Sequence, residues 1–164
     1  MILPALSLSQ PWAEMVLSPD IDKTIENRVW NTHKRGPFLI HAAQGMTSRG
    51  HREAIDFGSE ALRRLGRSPL LLPMLADLQR GGIVGAAEIV DVVPLDRIQV
   101  DSGGFGNTHP QANNPWLMDG CFGFVLGRRV PLPFRAYSGR QRWFNVELTP
   151  FEEATLLAAG LVTS

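Results

Sequence analysis

Three charged side chains have the types and the spacing needed to bind or transform a polar ligand. Lys23, Glu26 and Arg28 lie within one short segment. If the segment is a strand, a period of two places Glu26 and Arg28 on one face, where they can pair with each other or clamp a ligand. Lys23 falls on the opposite face and joins them only if the chain curls where residues 19–22 meet the strand. The alternative is a hairpin with a polar outer face.

A fourth charged residue, Glu88, interrupts the apolar segment 83–93. Strand alternation makes it the only polar side chain on its face, which also carries Val84, Ala86, Val90 and Val92. A buried carboxylate must shift its pKa, find a cation or line a cleft. The sequence therefore indicates a carboxylate in a pocket. The alternative is that the segment is an edge strand and that this face is partly exposed to solvent.

Residues 120–146 form a basic and aromatic segment with five arginines and no acid. Cations suit phosphates and flat rings suit bases, so this composition is typical of nucleotide or single-strand binding. The alternative is an ordinary strand pair with arginines on its solvent face. The arginines are Arg128, Arg129, Arg135, Arg140 and Arg142.

The elements that must position these residues are mostly strands. We predict strands over residues 5–8, 23–30, 37–43, 83–93, 122–126 and 143–148. We predict a short helix with Ser9 as its N-cap, a helix over 48–65, a helical stretch over 70–79 broken at Pro73, and a C-terminal helix over about 150–159 that starts at a Thr149 capping box. Residues 99–116 are predicted as a long loop of the kind usually kept for function. Because no βαβ rhythm occurs, we expect an α+β fold, a partly closed mixed β-barrel with helices packed around it.

Length and composition bound the remaining possibilities. A chain of 164 residues, 44% hydrophobic, suits a single domain over 1–164. Sixteen basic residues balance sixteen acidic ones, which excludes a generic polyanion binder. The single cysteine and the scattered histidines predict neither a disulfide nor a metal site, and His41 is expected to be a hydrogen-bonded core residue. With no apolar run long enough for a membrane and no signal peptide pattern, we expect a soluble, cytoplasmic protein without cofactors.

Several motifs follow one another along nearly the whole chain in an order that resembles the ASCH domain family. They are Leu8-Ser9-Gln10-Pro11-Trp12-Ala13, Lys23-x-x-Glu26-x-Arg28, Arg35-Gly36-Pro37, Leu39-Ile40-His41-Ala42, Gly82-Ile83-Val84-Gly85 with Glu88, Pro115-Trp116, Phe122-Gly123-Phe124-Val125-Leu126 and Gly139-Arg140-Gln141-x-Trp143-Phe144.

The resemblance implies a PUA-like pseudo-barrel with a cleft that holds the lysine, the acid and the arginine, and RNA or nucleoside ligands. Some small members of the family remove acyl groups from the exocyclic amine of acetylcytidine, and RNA cleavage is also ascribed to the family. In those deacylating members a threonine stands three residues after the lysine. Here that position is Glu26, so Lys23 and Glu88 can be matched to the family's triad but its nucleophile cannot.

Two hypotheses use the same residues. In a binding module, Lys23 and Arg28 take phosphate or carbonyl oxygens and Glu26 and Glu88 accept hydrogens from a base edge. An indole supplies a stacking surface in that module, with Trp116 favoured because it ends the long loop. The other residues expected at the ligand are Gln10, Trp12, Arg140, Gln141 and Trp143.

The second hypothesis is a metal-free amidohydrolase acting on an acylated nucleobase, with a ribonuclease less favoured. Lys23 or Glu26 would activate water or attack the carbonyl, and Glu88 would hold the lysine or return a proton to the leaving amine. Arg28 or a backbone amide would face the oxyanion. The missing threonine places binding slightly ahead.

Overall fold

The computed structural model describes residues 1–100 and 106–164, which form a mixed α+β fold. The strands are β1 (Ile2–Leu8), β2 (Ile25–Arg28), β3 (Gly36–Ala42), β4 (Gly82–Val93), β5 (Ile98–Val100), β6 (Gly106–Thr108), β7 (Phe122–Ala136) and β8 (Trp143–Glu147). The helices are α1 (Trp12–Leu17), α2 (Ser48–Arg64) and α3 (Pro150–Ala158).

Six of the strands form one sheet in the order β2–β7–β4–β3–β1–β8. The β1–β3 pair is parallel and the other pairs are antiparallel. The sheet is open, with β2 and β8 at its edges, so the prediction of a β-barrel is wrong in this respect. The two edges approach each other through side chains: the rings of Trp30 and Trp143 are 6.2 Å apart, and Trp143 donates to Thr32 Oγ1 at 3.2 Å.

Apolar residues cover both faces of the sheet. Alternation along β1 sends Leu3 and Ala5 into a cluster with α3, and Leu6 and Leu8 into a cluster with α1. A third cluster joins α1 and α2 around Trp116. Helices therefore pack against the sheet and leave the strand ends free to carry polar groups.

The predicted C-terminal capping box is confirmed. Thr149 Oγ1 accepts from the Glu152 amide at 3.2 Å, and Glu152 Oε2 accepts from the Thr149 amide at 2.9 Å. Ser9, by contrast, is not the N-cap of α1. That helix begins after Pro11, and Gln10 Oε1 accepts from the Glu14 amide at 3.1 Å instead.

Three other boundaries differ from the prediction. Residues 70–79 contain one turn of 3-10 helix, Leu75–Asp77, because Pro73 interrupts the segment and it buries few side chains. Strand β7 continues to Ala136, past its prolines, because Pro131 lies beside a register shift against β4. The predicted loop over 99–116 contains the β5–β6 ladder, while residues 101–105 lie outside the described residues.

Candidate nucleobase-binding site

A change of backbone direction before β2 brings Lys23 to the polar face of the strand. Asp22 has a φ of 53°, a conformation that a non-glycine residue rarely adopts. Arg129 holds it in place through the Asp22 carboxylate and the Lys23 carbonyl, and the Lys23 amide donates to Met15 O at 3.1 Å. The chain therefore curls just before the strand, which is the condition that the sequence analysis set for Lys23 to join Glu26 and Arg28.

The Lys23 ammonium is buried and surrounded by acceptors. Its side chain is 1% exposed, and Nζ donates to Ile25 O and to Glu26 Oε2, the latter at 3.3 Å. Nζ also lies 5.2 Å from the centre of the Trp12 ring, within the range of a cation–π contact. An ammonium has three N–H donors, and two of them are used by protein oxygens.

Burial lowers the pKa of Lys23 from its ordinary value of 10.5, because desolvation disfavours the charged form. The Glu26 carboxylate opposes this change by attraction and by its hydrogen bond, and Arg28 adds a further lowering through repulsion. The lysine therefore releases its proton more readily than a surface lysine. This property is characteristic of amines that act as bases or nucleophiles.

Glu26 bridges two cations. On β2, Glu26 and Arg28 share one face, as predicted, and Arg28 Nε lies 3.0 Å from Glu26 Oε1. The Nε–H is not directed at that oxygen, because Nε is buried without a hydrogen bond despite the short distance. Arg28 Nη2 donates to Ser7 O at 2.7 Å, which fixes the guanidinium against the end of β1.

These three side chains line a cavity of about 430 Å³. Ligand pockets commonly span about 300–1,000 Å³, so a small organic molecule fits. Trp12 is half-buried on one wall, offering part of an indole surface. We call this space the Lys23 cavity. Its lining residues are Ser7, Ser9, Trp12, Lys23, Glu26, Asn27, Arg28, Ala43 and Met118.

Asn27 holds the segment that covers the cavity. Its Nδ2 donates to Trp116 O at 2.8 Å, and its Oδ1 accepts from the Met118 amide at 2.8 Å. Met118 reaches the cavity, whereas Trp116 is 1% exposed and packs in the core with Phe57. The expectation that Trp116 forms a ligand wall is therefore wrong, because its side chain is buried in the core and does not line the cavity.

A second, basic groove adjoins the Lys23 cavity through Ser7 and Arg28. It has a volume of about 360 Å³ and no acidic residue in its lining. Arg142 and Arg28 lie over the Trp30 ring at 5.4 and 6.0 Å from its centre. We call it the arginine groove, and its lining residues are Ser7, Arg28, Trp30, Arg140, Gln141 and Arg142.

The predicted convergence of Glu88 with Lys23 is not found. Glu88 is half-buried on β4, and its Oε1 accepts from the Arg128 amide at 3.0 Å. It does not line the Lys23 cavity. Register shifts between β4 and β7 on both sides of Glu88 place its carboxylate over the backbone of Gly127 and Arg128. Strand periodicity alone could not reveal this contact.

Two further expected ligand residues lie in structural positions. Gln10 is buried and bridges the Glu14 amide and Gln79 O, the latter at 2.8 Å. Trp143 packs against Phe38 and stacks on Phe124 with an interplanar angle of 9°. Neither residue lines the Lys23 cavity or the arginine groove. Lys23, Glu26, Arg28 and Trp12 are brought together, and Arg140 and Gln141 lie in the adjoining groove.

Sequence reasoning missed Ser7, Asn27 and Met118. Ser7 had a signal, because it directly precedes the motif that begins at Leu8 and is a polar residue at the end of an apolar strand. Met118 had none, because it reaches the cavity through tertiary contacts, among them the bond from its amide to Asn27 Oδ1. Within residues 1–100 and 106–164, no group of three or more metal-ligating side chains is assembled. No helix formed by those residues is both long and apolar enough to cross a membrane.

Comparison with known proteins agrees with the motif order. The model of the family described as the ASCH domain matches residues 6–153, nearly the whole chain. The matched range includes the Lys23 cavity and the arginine groove. No curated protein matches the chain.

Proposed function

The chain belongs to the ASCH domain family, a PUA-like family, and on that premise we propose that it binds RNA or a nucleotide by taking a base into the Lys23 cavity. The observation that carries this proposal is the buried array Lys23–Glu26–Arg28, in which one carboxylate is held between two cations. Such an array presents an acceptor beside donors, which is complementary to a base edge.

The bases that suit this array carry an amino group next to a ring acceptor or a carbonyl. Glu26 accepts from the amino group, as acids do from the exocyclic amine of cytosine. The remaining N–H of Lys23 and the Arg28 guanidinium donate to the neighbouring base acceptors. Cytosine and adenine offer this pairing and uracil does not, so we expect uracil to bind more weakly. Trp12 stacks on the base, a contact worth about 1–3 kcal/mol.

The arginine groove receives the phosphate. Arg140 and Arg142 are exposed cations with no acid in the groove to neutralise them. A guanidinium binds phosphate oxygens in a bidentate manner. Because Arg28 and Ser7 line both spaces, a base in the Lys23 cavity and its own phosphate in the arginine groove can be bound together.

The test is a titration of the purified protein with cytidine, adenosine and uridine monophosphates and with a short single-stranded RNA. Intrinsic tryptophan fluorescence, to which Trp12 contributes, and the anisotropy of labelled RNA report binding. We expect Lys23→Met and Glu26→Gln to weaken binding at least about tenfold, the loss of one charge-assisted hydrogen bond. Glu60→Gln on the exposed face of α2 is the control and keeps wild-type affinity. Equal binding by wild type and Lys23→Met would reject the site.

Deacylation of an acylated cytidine is the second candidate, and the lowered pKa of Lys23 favours it. A lowered pKa makes the neutral form of a buried amine more accessible, and the neutral amine can attack a carbonyl or activate water. Incubation with acetylcytidine, with and without a chelator, measures release of cytidine, and labelled RNA in parallel reveals any cleavage. Turnover that is lost in Lys23→Met would establish an amidohydrolase, whereas RNA affinity without turnover would leave the binding module.

A further inference from the structure

A serine and a histidine pair across the two parallel strands of the sheet. Ser7 on β1 is in register with His41 on β3, and Ser7 Oγ lies 2.9 Å from His41 Nδ1. His41 is 2% exposed, as expected for a core residue, while Ser7 is half-buried. A hydroxyl next to an imidazole nitrogen is the arrangement of an activated nucleophile and its base.

The partners of His41 determine which way the hydrogen bond runs. His41 Nε2 lies 2.8 Å from Tyr137 O, and a carbonyl can only accept. In the neutral imidazole the single proton is therefore on Nε2, and Nδ1 presents a lone pair to Ser7. The hydroxyl must donate to Nδ1, since donation to its other neighbour, Arg140 O at 3.3 Å, would leave two lone pairs facing each other at 2.9 Å.

Ser7 is a lining residue of three cavities. Ser7 lines the Lys23 cavity, the arginine groove and a third groove of about 1,090 Å³ that also contains His41 and Gly139. Gly139 leaves the pair uncovered: a Cβ on this residue would lie 2.8 Å from His41 Nδ1 and 2.9 Å from Ser7 Oγ. Arg28 donates to the Ser7 carbonyl, so a fixed cation stands next to the serine.

We propose that Ser7 is a nucleophile and His41 its general base, and that the pair accepts acyl groups from small esters or amides. The Tyr137 carbonyl oxygen accepts the hydrogen bond from His41 Nε2 and so fixes the tautomer and the orientation of the imidazole, as the third member of a catalytic triad does. The pair belongs to a different set of side chains from Lys23 and Glu26. It stands whether or not the chain binds a nucleobase.

The reaction needs water as its only co-reactant. Ser7 Oγ bonds to the carbonyl carbon as its proton passes to His41 Nδ1, and the carbonyl electrons move to oxygen. The tetrahedral species collapses, the bond to the leaving group breaks, and that group takes the proton from Nδ1. Water then attacks the acyl–Ser7 ester, gives its proton to Nδ1, and the serine leaves and regains it.

A fluorophosphonate probe tests the nucleophile, because Oγ attack forms an O–P bond and expels fluoride. We expect one probe per chain on the peptide that contains Ser7, none on that peptide in Ser7→Ala, and wild-type labelling in Ser59→Ala, an exposed serine of α2. A stoichiometric burst with p-nitrophenyl acetate should acetylate the same peptide. Absence of both adducts from wild-type Ser7 would overturn the proposal. Labelling is scored without RNA, so failure of the nucleobase proposal does not affect it.

The base is tested in two ways. His41→Gln, if circular dichroism shows it folded, should slow labelling of Ser7 by about 100-fold or more, as expected for a lost general base. Ser7→Cys leaves His41 intact: the new thiol should alkylate about tenfold faster than that of Ser59→Cys, because an adjacent base lowers a thiol's pKa. A slower or equal rate for Ser7→Cys would reject His41 as the base.

Discussion

The Glu26 carboxylate lies 3.3 Å from the Lys23 ammonium, and the two side chains are 8% and 1% exposed. The attraction offsets only part of the cost of burying the amine, since the net effect is still a lowered pKa for Lys23. The chain keeps a charged residue in its interior at some expense in stability. This imbalance gives the site a measurable pH dependence.

The pH dependence has a definite sign. Lys23 has a lower pKa folded than unfolded, so between the folded pKa and 10.5 the unfolded chain binds more protons. The free energy of unfolding therefore rises with pH through this window, as the folded protein loses the penalty for a buried charge. Denaturant titrations of wild type and Lys23→Met at several pH values up to 10 check this. The free energy of unfolding of the wild type should increase relative to that of Lys23→Met as the pH increases. A difference that does not change with pH would contradict the prediction.

Removal of the carboxylate should destabilise the fold. Glu26→Gln leaves the buried Lys23 and the half-buried Arg28 without their shared carboxylate, and breaking a buried ion pair from one side costs about 3–5 kcal/mol. We expect about 3 kcal/mol, because Lys23 can escape part of the penalty by losing its proton. Chemical denaturation measures this. Glu60→Gln, which removes an exposed partner of Arg63, serves as the matched control and should leave the midpoint unchanged.

The arginine groove should set the salt dependence of RNA binding. Replacement of Arg140 and Arg142 by glutamine should lower the slope of log K against log salt by about 0.7 for each arginine that contacts a phosphate. Binding of unphosphorylated cytidine should not change. The comparison variant replaces Arg52 and Arg64, which are exposed on α2. If both double variants reduce the slope equally, the groove is not the phosphate site.

Gly139 should be intolerant of a side chain. In Gly139→Ala the new Cβ would collide with His41 Cε1 and crowd Ser7 Oγ, and His41 cannot move without losing its bond to Tyr137 O. Overpacking of this kind costs about 1–3 kcal/mol. Thermal unfolding of Gly139→Ala and Gly45→Ala gives the comparison, since a Cβ at Gly45 meets nothing within 4 Å. Equal melting temperatures would argue against the close packing.

The capping box should stabilise α3. Thr149→Ala removes the acceptor of the Glu152 amide and should lower the free energy of unfolding by about 1 kcal/mol. Ser59→Ala on α2 is the control.

The carboxylate of Glu152 should make stability depend on pH in acid. Burial raises the pKa of Glu152, but the hydrogen bonds from Arg135 and Thr149 outweigh burial, so that the pKa is lower than the ordinary value. The stability that ionised Glu152 contributes is present above its ordinary pKa of 4.5 and is lost as the pH falls through the pKa of the folded state. In denaturant titrations at decreasing pH, Glu152→Gln should lose less stability than the wild type.

The sequence by itself determined the local features. Alternation along β2 placed Glu26 and Arg28 on one face, because side chains in any strand alternate. Thr149, Pro150 and Glu152 specified the start of α3, because the capping box involves residues three apart. The motif order identified the family, and the ASCH match confirms it.

Contacts between distant segments decided the rest. Lys23 joins Glu26 only because Arg129, more than a hundred residues away, holds Asp22 at a positive φ. Register shifts against β7 turned Glu88 away from the cavity, and Asn27 drew Met118 in while Trp116 was buried. Ser7 meets His41 because β1 and β3 pair in parallel across 34 residues. Periodicity fixes which face a side chain takes, but register and packing decide what it faces, and those depend on the free energy of the whole fold.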